Sequence, residues 1–120
     1  MDSRAVLVLV TAVTCPACVM FKKNTWKSGD KTGLRETVVK NSNIRLVEIE
    51  LPNTATPPNP REYPSSLARW IGWYPTLFLF SGNSWNQTNP KGKMGSIGGE
   101  LDGVILNGDN CIIEDFNFRL

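Results

Sequence analysis

Two cysteines three positions apart, Cys15 and Cys18, bracket Pro16 and Ala17 in the run Thr14-Cys15-Pro16-Ala17-Cys18. Thiols at that spacing can close a disulfide with little backbone motion, so the pair can cycle between dithiol and disulfide. The proline between them fixes the local setting. It suits the first position of a helix, where its missing N–H would have had no partner. Cys15 is therefore expected at the cap of a helix that opens at Pro16. A thiol there faces unpaired N–H groups and the positive end of the helix dipole, which favour its thiolate. On this reading Cys15 is the exposed nucleophile. Cys18, one turn in on the same face, is placed to resolve.

The rest of the composition leaves those sulfurs little competition. The chain has no histidine, which removes Ser-His and Cys-His nucleophile systems and almost every zinc site that mixes imidazole with thiolate. A zinc site built on the pair alone needs two more ligands, and Cys111 with scattered carboxylates is a poor supply, so no metal is expected. Cys111 itself reads as a packed core residue. The segments Gly92-Lys93 and Gly29-Asp30-Lys31-Thr32 miss the spacing of a phosphate-binding loop. The net charge of +2 gives no reason to expect nucleic acid. It nevertheless hides an asymmetry: residues 1–99 carry twelve basic and six acidic groups, residues 100–120 one and five.

Which elements would hold the thiols in place? At 120 residues, 41% hydrophobic and 20% charged, the chain has the profile of one soluble domain spanning 1–120. A chain of this length buries roughly 65% of its unfolded surface without needing a staple. Ala5 to Val13 is short, β-branched and apolar on both faces, which predicts a strand in the middle of a sheet. The helix opened by Pro16 is expected to reach Trp26 or Lys27, ahead of Ser28-Gly29-Asp30. A second helical piece is predicted from Leu34 to Asn41 and a half-buried strand from Ile44 to Leu51. Pro52 to Pro64 holds five of the eight prolines and reads as irregular. A short helix is expected from Ser65 to Ile71, then a wholly apolar strand entered through Tyr74-Pro75-Thr76. Leu101 to Leu106 and Cys111 to Phe116 look like further strands, joined as a hairpin through Asn107-Gly108, with a final short helix after Asp109 as the alternative.

Taken together, Val6–Val10 as first strand, the Cys15-Pro16-Ala17-Cys18 turn and the stretch Gly72-Trp73-Tyr74-Pro75-Thr76-Leu77-Phe78 resemble the thioredoxin-like superfamily, thioredoxins and protein disulfide isomerase domains in particular. The resemblance covers residues 5–80. It implies an α/β fold with a single mixed sheet of about four strands flanked by helices. It further implies a cis Pro75 beside Cys15, keeping metal from the thiols, with the Tyr74 backbone pairing with an extended substrate segment. Trp73, Tyr74, Pro75 and Thr76 are then the substrate-binding residues, with Pro16 and Ala17 supporting Cys15 and Cys18. The implied activity is protein disulfide exchange, with no cofactor beyond the dithiol. The implied partners are proteins carrying disulfides or thiols and a reductant or oxidant that recycles the pair.

Three departures stand out. Thr14 occupies the place of the tryptophan that commonly precedes the motif in thioredoxins. Leu9 stands where thioredoxins carry a buried acid, and no amphipathic closing helix follows Leu101. Two alternatives remain. Cys-Pro-x-Cys followed by Lys22-Lys23, with Gly98-Gly99 and Asp102 further on, is similar to a glutaredoxin, which would use glutathione. A redox-inactive thioredoxin-like module that only binds proteins is the other.

Trp73 either lines a groove beside Cys15 or covers the core, whereas Trp26, Trp70 and Trp85 read as packing residues. Lys23, Lys27, Lys31 and Arg35 would form a basic stripe on one continuous helix, but Gly29 and Gly33 interrupt it. The apolar run at the N-terminus is closed by Thr11 and Thr14 before it could cross a bilayer. It has no basic leader of secretory type, and the sequon Asn86-Gln87-Thr88 matters only in a secreted protein. A cytoplasmic location without membrane contact is the expectation.

Overall fold

A computed structural model of the chain describes residues 4–27, 33–59, 62–63 and 67–80, together with the backbone of 104–107. Strand β1 (Ala5–Ala12) has all eight side chains buried. The apolar run from Ala5 to Val10 allows little else, because only a strand covered on both faces can bury it. On one side it pairs in parallel with β2 (Ile44–Leu51), from Ala5 opposite Ile44 to Ala12 opposite Leu51. On the other side β3 (Thr76–Phe80) runs antiparallel, with Leu7 opposite Leu79 and Val10 opposite Thr76. A fourth strand, β4 (Val104–Asn107), pairs antiparallel with β3, giving the order β2-β1-β3-β4. The protein is thus a mixed α/β structure, as expected. The segments expected at Cys111–Phe116, at the Asn107-Gly108 turn and around Trp85 lie outside the described residues.

The period of two along β1 sends its side chains into two separate cores. Leu7 and Leu9 face one core with Leu77 and Leu79 of β3 and Ile44 of β2. That core is covered by Phe21 of helix α1 (Pro16–Phe21), by Trp26, and by Leu34 and Val38 of helix α2 (Leu34–Lys40). Val6, Val8, Val10 and Ala12 face the opposite core with Phe78, Phe80, Ile49 and Leu51. The cover there is Leu67 of a 3₁₀ turn (Leu67–Trp70), with Trp70, Ile71, Tyr63 and Tyr74 packed around it. No helix among the described residues is long and apolar enough to cross a membrane.

The first helix extends as expected to Trp26, but in two geometries. After Phe21 it continues as a π-helical turn from Lys22 to Trp26, in which Lys27 N–H donates to Lys22 O at 2.9 Å. Trp26 is only 1% exposed and its ring stacks on Phe21, with centroids 5.8 Å apart. Gly33 is the N-cap of α2 and lies directly on this turn. A Cβ placed on it would sit 2.3 Å from Trp26 O and 2.9 Å from Lys27 Cα. Only glycine lets the two backbones meet there.

Candidate functional site

Strand β1 ends at Ala12, and the chain turns through Val13 and Thr14 before Cys15. Cys15 N–H donates to Ala12 O at 3.1 Å, which closes that turn. Cys15 then adopts an extended conformation (φ −95°, ψ 109°) as N-cap of α1, with Pro16 in the first turn, the arrangement the sequence predicts. Its sulfur does the capping: Cys18 N–H donates to Cys15 Sγ at 3.1 Å. A free N–H of the first turn is thereby aimed at the sulfur, where it strengthens as negative charge develops. Both cysteines are free.

The second half of the site comes from the segment leading into β3. The Tyr74–Pro75 peptide bond is cis, the isomer the resemblance implies. Tyr74 O lies 3.7 Å from Cys15 Sγ although 59 residues separate them in sequence. Pro75 and Thr76 are buried, and the Thr76 hydroxyl donates to Trp73 O, tying the loop to the start of the strand. Tyr74 is half-buried. Burial pushes its phenol above the ordinary value, and the neighbouring Cys18 and Cys15 add to the shift. Trp73 does not cover the core: it is 48% exposed and belongs to neither core cluster. Pro16 and Ala17 are exposed beside the sulfurs.

Cys15 differs from the expectation in one respect: the residue is only 7% exposed. Packing into the core with Cys18, Ala12 and Leu51 while lying against the Tyr74 backbone leaves it a narrow opening. Cys18 is more deeply enclosed at 2%, and its thiol is pushed up from 9.0 to about 11. Burial is the main cause, followed by its hydrogen bond with Cys15; the Ala12 backbone and the Lys22 charge pull the other way. The two thiols are therefore unequal, and alkylation should separate them. At pH 8 iodoacetamide is expected to modify Cys15 first, with Cys18 reacting only as the pH approaches 11, read by peptide mass spectrometry. Equal labelling at pH 8 would contradict the enclosure of Cys18. Folding stability follows the same proton. From about 9 to about 11 the unfolded chain releases a proton that the folded chain keeps, so stability falls as the pH rises through that window.

Four of the five exposed large hydrophobic side chains among the described residues cluster along the chain near this site. Val13 (60%), Val19 (57%), Met20 (55%) and Trp73 each lie within two residues of Cys15, Cys18 or Tyr74. The surface close in sequence to the sulfurs is thus apolar, where a solvated face would carry charge.

A feature that the sequence reading missed lies at the C-terminal ends of β1 and β2. Lys22, Lys27 and Arg35 surround a cavity of about 400 Å³ with Glu48 and Glu50 of β2. Arg35 grips Glu48 with two nitrogens at 3.0 and 3.3 Å, Trp26 Nε1 donates to it at 2.9 Å, and Lys22 pairs with Glu50 at 3.2 Å. Burial opposes the charge on Glu48, but these hydrogen bonds with the Arg35 and Lys27 charges outweigh it and hold the carboxyl below its ordinary value. Two of the four residues that suggested a stripe, Lys27 and Arg35, thus gather with Lys22 around two carboxylates, while Lys31 lies outside the described residues. The signal in the sequence was the two acids at i and i+2 on β2, which place both on one face. No group of three or more histidine, cysteine or acidic side chains placed to hold a metal occurs among the described residues.

Together the fold and the site describe a mixed α/β protein with a free dithiol at a helix N-cap, opposed by the backbone of a cis-proline loop. No family model, curated protein or solved structure matches the chain.

Proposed function

We propose that the protein is a thioredoxin-like thiol–disulfide oxidoreductase acting on disulfides of other proteins, with Cys15 as nucleophile and Cys18 as resolving thiol. The observation that carries this reading is the setting of the Cys15 sulfur, which receives the Cys18 N–H at 3.1 Å and lies 3.7 Å from Tyr74 O. A sulfur capping a helix holds a backbone N–H in place to meet the negative charge that develops on it during exchange. The Tyr74 backbone beside it offers an extended substrate chain a strand-like partner.

The exchange balances as follows. The Cys15 thiolate attacks one sulfur of the substrate disulfide, that S–S bond breaks, and the departing substrate thiolate takes a proton from solvent. Cys18 then gives up its proton to solvent and attacks Cys15 Sγ as the thiolate. The mixed disulfide breaks and the second substrate thiol is released. Two electrons have passed to the substrate, leaving a Cys15–Cys18 disulfide that an external dithiol reduces by the same steps. Enclosure of Cys18 suits this order, because a protonated, buried thiol does not compete for the substrate in the first step.

The apolar side chains near the sulfurs favour a protein over glutathione. A small charged tripeptide needs charged partners, whereas Val13, Val19, Met20 and Trp73 offer a protein apolar area. The test is a titration in defined dithiol–disulfide buffers, with the Cys15–Cys18 state read by mass after acid quenching. A reversible two-electron couple is expected between roughly −270 and −120 mV. A pair that stays reduced, or oxidised, across the whole series defeats the proposal and leaves a binding module with idle thiols.

A further inference from the structure

Behind the cis-proline loop, on the stretch that carries Trp73 and Tyr74, a second cavity of about 390 Å³ opens. One wall is the proline-rich loop 54–58, the other Ala68 and residues 71–74. The loop is set by Asn53, whose side-chain oxygen accepts from Ala55 N–H, Thr56 N–H and the Thr56 hydroxyl, at 2.9 to 3.0 Å. Pro58 is buried behind it, so this wall is held rather than loose.

Three observations define what could enter. Among the described residues none that line the cavity is charged; the walls are proline, alanine, threonine, isoleucine, glycine and aromatic side chains. An ionised side chain drawn in there would meet no opposite charge among the described lining residues. Tyr74 belongs both to this cavity and to the Cys15 site, through its carbonyl. A polypeptide whose sulfur reaches Cys15 therefore lies against a residue that also lines the opening. Trp73, half-exposed, stands on the same lining, and an exposed aromatic beside an uncharged recess suits a side-chain anchor.

We infer that this cavity is a specificity pocket of the proposed disulfide exchange, taking an uncharged, apolar side chain that flanks the reacting cysteine of a substrate polypeptide. The inference rests on the dithiol reading and adds which polypeptides are accepted: apolar residues beside the cysteine are favoured, lysine or glutamate disfavoured. The volume is enough for a leucine or phenylalanine side chain, at the lower end of the roughly 300–1,000 Å³ of ligand pockets.

Gly72 gives a clean way to close the pocket. It lines the cavity, and a Cβ added to it meets nothing within 4 Å, so a larger side chain enters open space. The experiment compares the intact chain with Gly72→Leu and, from the same wall, Ala68→Leu. Substrates are disulfide-linked peptides with Leu, Phe, Lys or Glu beside the cysteine, and hydroxyethyl disulfide, which has no flanking residue. The intact chain should reduce the Leu and Phe peptides about tenfold faster in kcat/KM than the Lys and Glu peptides. Either substitution should erase that preference and leave hydroxyethyl disulfide unaffected.

Equal rates for all four peptides overturn the pocket assignment while leaving the dithiol reading intact. A substitution that slows hydroxyethyl disulfide as much as the peptides also overturns it, since the change then acts on the thiols and not on a side-chain site. Inactivity of the intact chain toward every disulfide, the small one included, removes the dithiol reading and the pocket's role with it.

Discussion

Cys15→Ser is expected to lower disulfide reduction by roughly three orders of magnitude or more, because no other group among the described residues can take over its role. The chain has no histidine to activate the new hydroxyl. Cys18 cannot substitute either: it is 2% exposed and keeps its proton to about pH 11. Cys18→Ser should behave differently. Its first step survives, so a mixed disulfide between Cys15 and the substrate forms and persists, visible as a covalent adduct that excess dithiothreitol releases. The pair of outcomes matters more than either alone, since a merely structural role for the cysteines predicts equal losses and no adduct. Full turnover by Cys15→Ser, or no adduct on Cys18→Ser, would sink the assignment of nucleophile and resolving thiol. Adducts with glutathione but with no protein would move the reading to a glutaredoxin-like reductase.

How much of this could be read beforehand depended on whether one segment carried its own signal. The run from Ala5 to Ala12 did: eight consecutive buried residues leave only a central strand. Pro16 did too, since its ring and missing N–H mark the first turn of a helix and so set Cys15 at the cap. Strand β2 was legible in extent but not in meaning. Its apolar positions change parity midway, from Ile44 and Leu46 to Ile49 and Leu51. A strand covered from one side cannot produce that pattern. The structure supplies the reason: the α2 side covers the first half, and the side of the 3₁₀ turn covers the second. Glu48 and Glu50 then fall on the helix face beyond the apolar cover, where Lys22, Arg35 and Trp26 reach them.

Other features depend on contacts between distant segments, which no local pattern encodes. The π-helical turn of residues 22–26 ends on Trp26, which is buried in the core, and its carbonyl leaves room at Gly33 for glycine alone. Loop 54–58 reads only as irregular, yet folded against residues 71–74 it walls a cavity. The low exposure of Cys15 likewise follows from the Tyr74 backbone arriving from 59 residues away. Spacing sets the expectation for the chemistry of the sulfurs; their accessibility is a tertiary property.

Trp26→Ala is expected to destabilise the fold by about 3–5 kcal/mol, the range for deleting a large buried aromatic side chain. Trp26 is 1% exposed, stacks on Phe21 at an interplanar angle of 28°, and packs in the core that holds Leu34 and Val38 of α2. It also couples that core to β2 through the Nε1–Glu48 hydrogen bond. The substitution thus removes apolar area, a ring contact and a donor together. Domains of this size are stable by only about 5–15 kcal/mol, so the variant should sit near the edge of folding, with Tm lower by roughly 10–20 °C. Trp26→Phe separates the contributions. It keeps most of the packing but loses the indole N–H, and a cost of about 1–2 kcal/mol is expected. That smaller cost should depend on pH in a defined direction. Glu48 is held below its ordinary 4.5 partly by this N–H, so the stabilisation is present above that value and is lost as the pH falls through the depressed folded value. The penalty of Trp26→Phe should therefore shrink in acid, in urea melts compared at neutral pH and at low pH. A Trp26→Ala cost under about 1 kcal/mol, or a Trp26→Phe penalty that grows in acid, would show that neither the stacking nor the Glu48 contact contributes as the packing implies.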